Sequence, residues 1–135
     1  GDIIIRKVDT KGELIKNAEK VAGAAADEIR GTLLVCDFDG WVAGFGERKN
    51  EFIGKELTKW AVKLLKDRDV YLSGGEREGE LIGTNPEFYV AMAPSVSGGD
   101  CFGGLCIVSE KEITREEIAL MKICAKIIGE YMQKF

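Results

Sequence analysis

The chain has 135 residues, of which 45% are apolar and 31% charged, with a formal net charge of -4. This length and balance indicate one globular domain with a buried core, and the acidic charge argues against a nonspecific nucleic-acid surface. No apolar run is long enough to span a bilayer. The absence of histidine removes the commonest general base and most catalytic zinc sites.

The first segments predict a short strand and then a helix. Residues 1–8, GDIIIRKV, are typical of a strand, and because the chain starts at Gly1 rather than Met, we interpret it as a fragment of a longer protein. From Thr10, apolar residues recur at helical spacing as far as Ile29, and Gly31 is a natural stop. We therefore predict a helix of about five turns.

The stretch LLVCDFDGWV, residues 33–42, has two interpretations. An apolar strand followed by Asp37-x-Asp39 is how haloacid-dehalogenase-type phosphatases begin, with the first aspartate as nucleophile and the second as general acid. The same letters predict a hairpin turned by Asp39-Gly40 in a type I′ turn. In that register Leu34 pairs with Phe45, Cys36 with Ala43 and Phe38 with Trp41. No later acidic pair, lysine and hydroxyl group complete the phosphatase pattern, so we favour the hairpin.

The second half predicts one more short helix, three strands and a terminal helix. The predicted elements are a helix over 52–66, a strand over 70–73, an acidic glycine-rich loop over 74–83, strands over 88–96 and 101–109, and a helix that begins with a capping box at Thr114 and Glu117. Because no β-α-β alternation occurs, the sheet should be mostly antiparallel and the fold α+β. We expect long terminal helices on one face of the sheet and short helix and loops on the other.

The four cysteines form no C-x-x-C pair. They are Cys36, Cys101, Cys106 and Cys124. Three of them lie in apolar contexts, where free thiols usually pack as small hydrophobic groups. We expect reduced thiols in a cytoplasmic protein. Side chains five apart, as in Cys101 and Cys106, point to opposite faces of a regular strand, although a bulge at Gly103-Gly104 would change that.

The terminal helix carries more apolar residues than one buried stripe needs. We predict that its surplus face forms a homodimer with a second copy of the chain, alongside the alanine-rich side of the first helix. The predicted interface residues are Ala18, Ala22, Ala25, Ile127, Ile128 and Tyr131.

The order of elements and the segment PSVSGGDCFGGLCIVSE resemble a GAF domain. The segment AEKVAGAAADEIRGTLLVCDFDGWVAGFG is similar, within that fold, to the sensory half of the stage V sporulation protein T family, which are AbrB-like transcription regulators. In those regulators the GAF half, which corresponds here to residues 10–135, follows a DNA-binding domain. Residues 1–9 of this chain resemble the last strand of that domain. The resemblance implies a regulatory module with no catalytic residue, metal or cofactor, and DNA binding through an N-terminal domain outside this chain.

GAF domains commonly bind a small molecule between the sheet and a cap of short helices and loops. The resemblance therefore places an unidentified ligand near six large apolar residues, Trp41, Phe45, Trp60, Phe88, Val90 and Met92. Two alternatives stay open. One is a scaffold in which these side chains fill the space, and the other is a thiol enzyme similar to free methionine sulfoxide reductases, which also have a GAF-like fold.

Overall fold

A computed structural model describes residues 10–73 and 75–133 of the chain. Three helices, α1 Thr10–Ala25, α2 Lys59–Asp67 and α3 Arg115–Met132, surround one sheet. Its strands are β1 Thr32–Cys36, β2 Trp41–Phe45, β3 Tyr71–Leu72, β4 Tyr89–Ser97 and β5 Asp100–Ser109. The strand predicted over residues 1–8 lies outside the described residues.

The five strands form an antiparallel sheet in the order β2-β1-β5-β4-β3. The long hairpin of β4 and β5 lies in its middle, and β1 pairs with β5 across its whole length. The sheet is covered on both faces, because alternate residues of the central strands are buried in two separate apolar clusters. The predicted α+β class and antiparallel sheet are confirmed.

The register predicted for the first hairpin is wrong by one residue. Leu33 pairs with Phe45 and Val35 with Ala43, and an irregularity follows before Cys36 pairs with Trp41. The turn begins at Asp37, whose carboxylate Oδ1 accepts the N–H groups of Asp39 and Gly40 at 2.8 and 2.9 Å. Neither residue 39 nor residue 40 has a positive φ, so the turn is not type I′. The aspartate side chain, which sequence reasoning did not weigh, sets the turn.

Gly40 is required for another reason. It bridges to Glu56, and a Cβ on Gly40 would stand 2.4 Å from the carbonyl oxygen of Lys55. The following segment is held by the amide of Trp41, which donates to that same oxygen at 3.0 Å. The glycine therefore allows the chain after β2 to lie against the turn.

The first face of the sheet packs against α1 and α3. Ser95 on β4 donates its buried hydroxyl to the carbonyl of Ala125 at 2.7 Å. The helices are joined at one end by the side-chain amide of Asn17, which lies 3.3 Å from the sulfur of Met132. At the other end the carboxylate of Glu117 accepts the backbone N–H of Arg30 at 2.8 Å. These contacts fix α1 and α3 against each other and against the sheet.

Glu117 also completes the predicted capping box of α3, which is confirmed. Its Oε1 accepts the N–H of Thr114 at 2.9 Å, and its own N–H donates to the Thr114 hydroxyl at 3.2 Å. The side chain is almost fully buried. Burial would raise the pKa of Glu117, but the N–H groups of Thr114 and Arg30 outweigh it and lower that pKa below its usual value.

The second face is covered by α2 and irregular segments. The helix predicted over 52–66 begins only at Lys59, because Thr58 caps it by accepting the N–H of Ala61 at 3.2 Å. Before the cap, Gly54 has a φ of 90°, which a helix does not allow. Residues 46–57 instead lie across the second face as a loop with one short 3-10 turn at Lys49–Glu51. We call residues 46–57 the cap segment.

Candidate functional site

Five of the six predicted pocket residues lie in one apolar layer on the second face. Trp41, Phe88, Val90 and Met92 are buried there, and Trp60 packs at the edge. Trp41 meets Phe52 of the cap segment edge-on at a ring distance of 5.9 Å. Trp60 meets Tyr71 in the same way at 4.8 Å. The layer therefore joins the sheet, the cap segment and α2 through aromatic contacts.

Phe45, the sixth predicted pocket residue, lies on the opposite face. It packs with the α1 and α3 cluster, where a Cβ on Gly23 of α1 would stand 3.2 Å from its ring. The one-residue error in the hairpin register explains the misplacement, because such a slip exchanges the two faces of a strand. Its placement in the second layer is thus wrong, and its ring instead holds β2 against α1.

The side chains of this layer fill most of its interior. Val90 and Met92 have no exposed surface, and Trp41 is only 2% exposed. Trp41 also lines an open groove of about 490 Å³ between the 38–42 turn and residues 54–57. This groove is the opening to solvent beside Trp41.

Arg48 and Phe52, both in the cap segment, were missed by the sequence analysis. Phe52 is buried against Trp41, and the guanidinium of Arg48 lies 4.2 Å from the ring centre of Phe88. Phe52 was missed because residues 52–66 were predicted as one helix. Arg48 had no sequence signal, since its partners are far away in the chain.

The acidic glycine-rich loop lies beside this layer. The N–H of Glu78 donates to the carbonyl of Phe88 at 2.7 Å. Arg77 pairs with Glu87 at 2.6 Å, and its guanidinium lies 5.5 Å from the ring centre of Tyr89. Within the described residues, Oε2 of Glu78 is a buried side-chain oxygen without a protein hydrogen-bond partner. Arg77 and Glu78 therefore attach the loop to the start of β4.

Three of the cysteines share the second face. Cys36 and Cys106 are buried there, and Cys101 packs against the same cluster. Cys101 and Cys106 lie on one side because the β4–β5 register shifts at Ser95 and Val96. The prediction that Cys101 and Cys106 point to opposite faces of a regular strand is therefore wrong. The bulge, which the sequence analysis gave as the one exception, brings both to the same face. Burial raises the pKa of each thiol, so these groups are poor nucleophiles at neutral pH.

The six predicted interface residues divide into two groups. Ala18, Ala22, Ala25 and Ile128 are buried in the chain's own first-face core, so they are not available to a second copy. Ile127 is 36% exposed and Tyr131 45% exposed. Ile123, four residues before Ile127 on the same side of α3, is 55% exposed. These three residues, Ile123, Ile127 and Tyr131, form the apolar stripe of α3.

No group of three cysteine or carboxylate side chains in residues 10–73 and 75–133 is arranged to hold a metal ion. In the same residues, no helix has the length and hydropathy needed to cross a bilayer.

The family described as stage V sporulation protein T C-terminal, transcription factor, matches residues 13–133. Stage V sporulation protein T of Bacillus subtilis (strain 168) is 25% identical over 137 aligned residues. That alignment covers 99% of this chain and 77% of the Bacillus protein. The similarity therefore extends over nearly all of the structure described above.

Solved structures with this fold include several GAF domains. The GAF-B domain of DevS from Mycobacterium smegmatis has a TM-score of 0.65 at 16% identity, covering 93% of this chain and 94% of that one. A GAF domain/HD domain protein from Geobacter sulfurreducens has a TM-score of 0.65 at 13% identity, with coverage of 95% and 100%.

A type II free methionine-R-sulfoxide reductase from Thermoplasma acidophilum has a TM-score of 0.71 at 12% identity, with coverage of 94% and 97%. At such low identity these likenesses show the fold alone. They confirm the predicted GAF fold of the chain.

Proposed function

The chain belongs to the C-terminal family of stage V sporulation protein T, a family of transcription factors, and from this membership we propose that it is the sensing and dimerising half of a sporulation-type transcription regulator. As a regulatory domain, it would bind a small metabolite and change the activity of a DNA-binding domain. Such a regulator acts on the chromosome and would work in the cytoplasm.

The observation that carries the sensing role is the unequal cover of the two sheet faces. Two long helices close the first face, whereas the second is closed by α2, the cap segment and the acidic loop. Most backbone hydrogen bonds of the cap segment are local turn bonds within residues 46–55, and a segment held in this way opens at lower free-energy cost than a long packed helix. The second layer, with Trp41, Phe88 and Met92, is thus the place where a small apolar or aromatic molecule would be accommodated.

A ligand screen tests the sensing role directly. Amino acids, nucleotides and other small metabolites would be added to the chain, and the melting temperature and tryptophan emission recorded. Both tryptophans report on the layer, since Trp41 contacts Phe52 and Trp60 contacts Tyr71. A ligand should raise the melting temperature and change the emission. If no compound does either, the domain is a scaffold, and its role is assembly alone.

We propose the apolar stripe of α3 as the homodimer contact. Exposed isoleucines and a tyrosine in line on one helix are typical of an interface between two helices. Pairing of α3 with its symmetry mate would bring two copies of α1 near each other, because α1 packs on α3. A dimeric sensor would then present two N-terminal DNA-binding domains to a two-fold symmetric site.

DNA recognition in this proposal belongs to the part of the regulator that precedes this chain. The net charge of -4 supports that division, because duplex binding needs a cluster of positive charge. Fluorescence anisotropy with a labelled duplex at physiological salt checks it. Binding tighter than about 100 µM, the weak end of nonspecific affinity, would refute the division of labour.

A thiol enzyme is the second candidate, and one observation favours it. Cys36, Cys101 and Cys106 share the second face, next to the proposed ligand layer. The raised pKa values of these thiols act against it, since the thiolate is the attacking form. Reduction of free methionine sulfoxide by the chain and a thiol reductant, abolished by Cys101→Ser or Cys106→Ser, would replace the sensor proposal.

A further inference from the structure

Arg48 connects the cap segment to three separate parts of the sheet. Its backbone N–H donates to the hydroxyl of Thr32, at the start of β1, at 3.2 Å. Its Nη2 pairs with the carboxylate of Glu110, the residue after β5. Its guanidinium lies 4.2 Å from the centre of the Phe88 ring, just before β4. One residue of the loop thus contacts the ends of three neighbouring strands.

The remainder of the cap segment is anchored at its other end. Lys55 and Gly54 exchange backbone hydrogen bonds with Trp41 at 3.0 and 2.9 Å. Between the two anchors the 3-10 turn passes over Gly44, where a Cβ would stand 2.9 Å from Cβ of Lys49. Phe52 is inserted into the apolar layer from this turn. Residues 46–53 therefore lie over the second face, held by the buried ring of Phe52, which contacts Trp41, and by the contacts of Arg48 with the strand ends.

We propose that Arg48 is an electrostatic latch that holds residues 46–53 closed over the second face and controls access to the apolar layer around Trp41 and Phe88. The Arg48 side chain is 34% exposed and the Glu110 side chain 66% exposed, so water and salt compete for this contact. The stacking on Phe88 adds a cation–π attraction that depends on the same charge. Glu51, 3.1 Å from Nη1 within the same segment, orients the guanidinium.

Release of the latch would leave Phe52 as the main contact of residues 46–53 with the layer. The segment would then open more often, and Trp41 would be reached by small molecules from solvent. Only the biological use of the latch, which is to give a ligand a controlled entrance, rests on the proposed sensing role. Its existence is a property of the chain without ligand and is tested in that state.

The test is acrylamide quenching of Trp41 in a Trp60→Phe background, which leaves one tryptophan. Arg48→Met keeps a long apolar stem but removes the charge and its donors. We expect its quenching constant to be about three to five times that of the parent, as expected when an exposed ion pair and a cation–π contact are lost together. Glu110→Gln should move the constant in the same direction by less, because the stacking on Phe88 remains.

Lys49→Met is the matched control, since it removes an exposed cation from the next residue without touching Phe88 or Glu110. Its quenching constant should equal that of the parent. Sodium chloride at about 1 M should raise the constant of the parent and leave that of Arg48→Met unchanged. Equal constants for Arg48→Met and Lys49→Met would overturn the latch and leave Phe52 packing as the closure.

Circular dichroism decides whether Arg48→Met is folded. If it is not, Glu110→Gln and the salt series on the parent carry the test, and unchanged quenching in both overturns the proposal. The two proposals also fail separately. A ligand screen without a result, together with increased quenching in Arg48→Met, removes the sensor and keeps the latch.

Discussion

Gly103 of β5 lies so close to Cys36 of β1 that a Cβ on Gly103 would stand 1.9 Å from the Cys36 carbonyl oxygen. Gly103 has a φ of 152° and is opposite Ser95, next to the register shift of the β4–β5 pair. The bulge thus brings β5 against the end of β1, and it turns Cys101 toward the second face. Only a residue without a side chain fits this contact.

Gly103→Ala should therefore destabilise the chain by about 2 to 4 kcal/mol, because either β1 or β5 must move. Gly99→Ala is the control. Gly99 also has a positive φ, 89°, but a Cβ added to it would have no atom within 4 Å. Gly99→Ala should destabilise the chain only by the cost of a positive φ for a residue with a Cβ, about 1 to 2 kcal/mol. Urea denaturation measures both, and equal losses would mean that the bulge tolerates a methyl group.

Ile127→Glu should convert a dimer to a monomer without unfolding it. The change places a charge in the apolar stripe of α3 and should weaken association at least tenfold, about 1.4 kcal/mol. Lys126→Glu, on the same helix but outside the stripe, should leave the mass unchanged. Ile128→Glu, by contrast, buries a charge in the core and should unfold the chain. Light scattering reads the mass; a monomeric parent at high concentration would contradict the dimer.

Glu117→Gln should destabilise the chain by about 2 kcal/mol at neutral pH, because a buried carboxylate that accepts several N–H groups is lost. Glu116→Gln, its exposed neighbour in the same helical turn, should cost no more than about 0.5 kcal/mol. Urea denaturation of both variants and the parent at pH 7 gives the comparison.

The same carboxylate predicts a pH dependence. The pKa of Glu117 is lower in the folded chain than in the unfolded one. The carboxylate therefore contributes fully to the free energy of unfolding above pH 4.5, which is the ordinary pKa of a glutamate. That contribution is lost as the pH falls through the lowered pKa. The difference in unfolding free energy between parent and Glu117→Gln should shrink in acid. A difference that is constant from pH 7 to pH 3 would show that the carboxylate charge has no role.

The thiols should react slowly with Ellman's reagent in the folded chain. Burial raises the pKa of all four, and Cys36 and Cys106 have no exposed surface. Cys101, the partly exposed one, should react first, and the others only at the rate of unfolding. A Cys101→Ser variant should lose the early phase. Two or more thiols that react within seconds at pH 7 would favour the thiol enzyme.

The sequence by itself determined the α+β class, the antiparallel sheet and the ends of most elements. Helical spacing and the capping box at Thr114 predicted α3, and apolar runs with glycine turns predicted β4 and β5. These signals are local: each depends on residues within a few positions along the chain, and hydrophobic periodicity reports them directly. The GAF resemblance used the same pattern over a longer span.

The tertiary structure decided which face each residue occupies and which surfaces stay exposed. A one-residue difference in the first hairpin moved Phe45 to the α1 face, since strand side chains alternate with a period of two. Ile127 and Ile128 are adjacent and equally apolar, yet only the packing of α1 and the sheet buries the second. Arg48 acquires its role from Thr32, Phe88 and Glu110, which lie 16 to 62 positions away. No local pattern encodes such contacts, because chain folding alone brings their partners together.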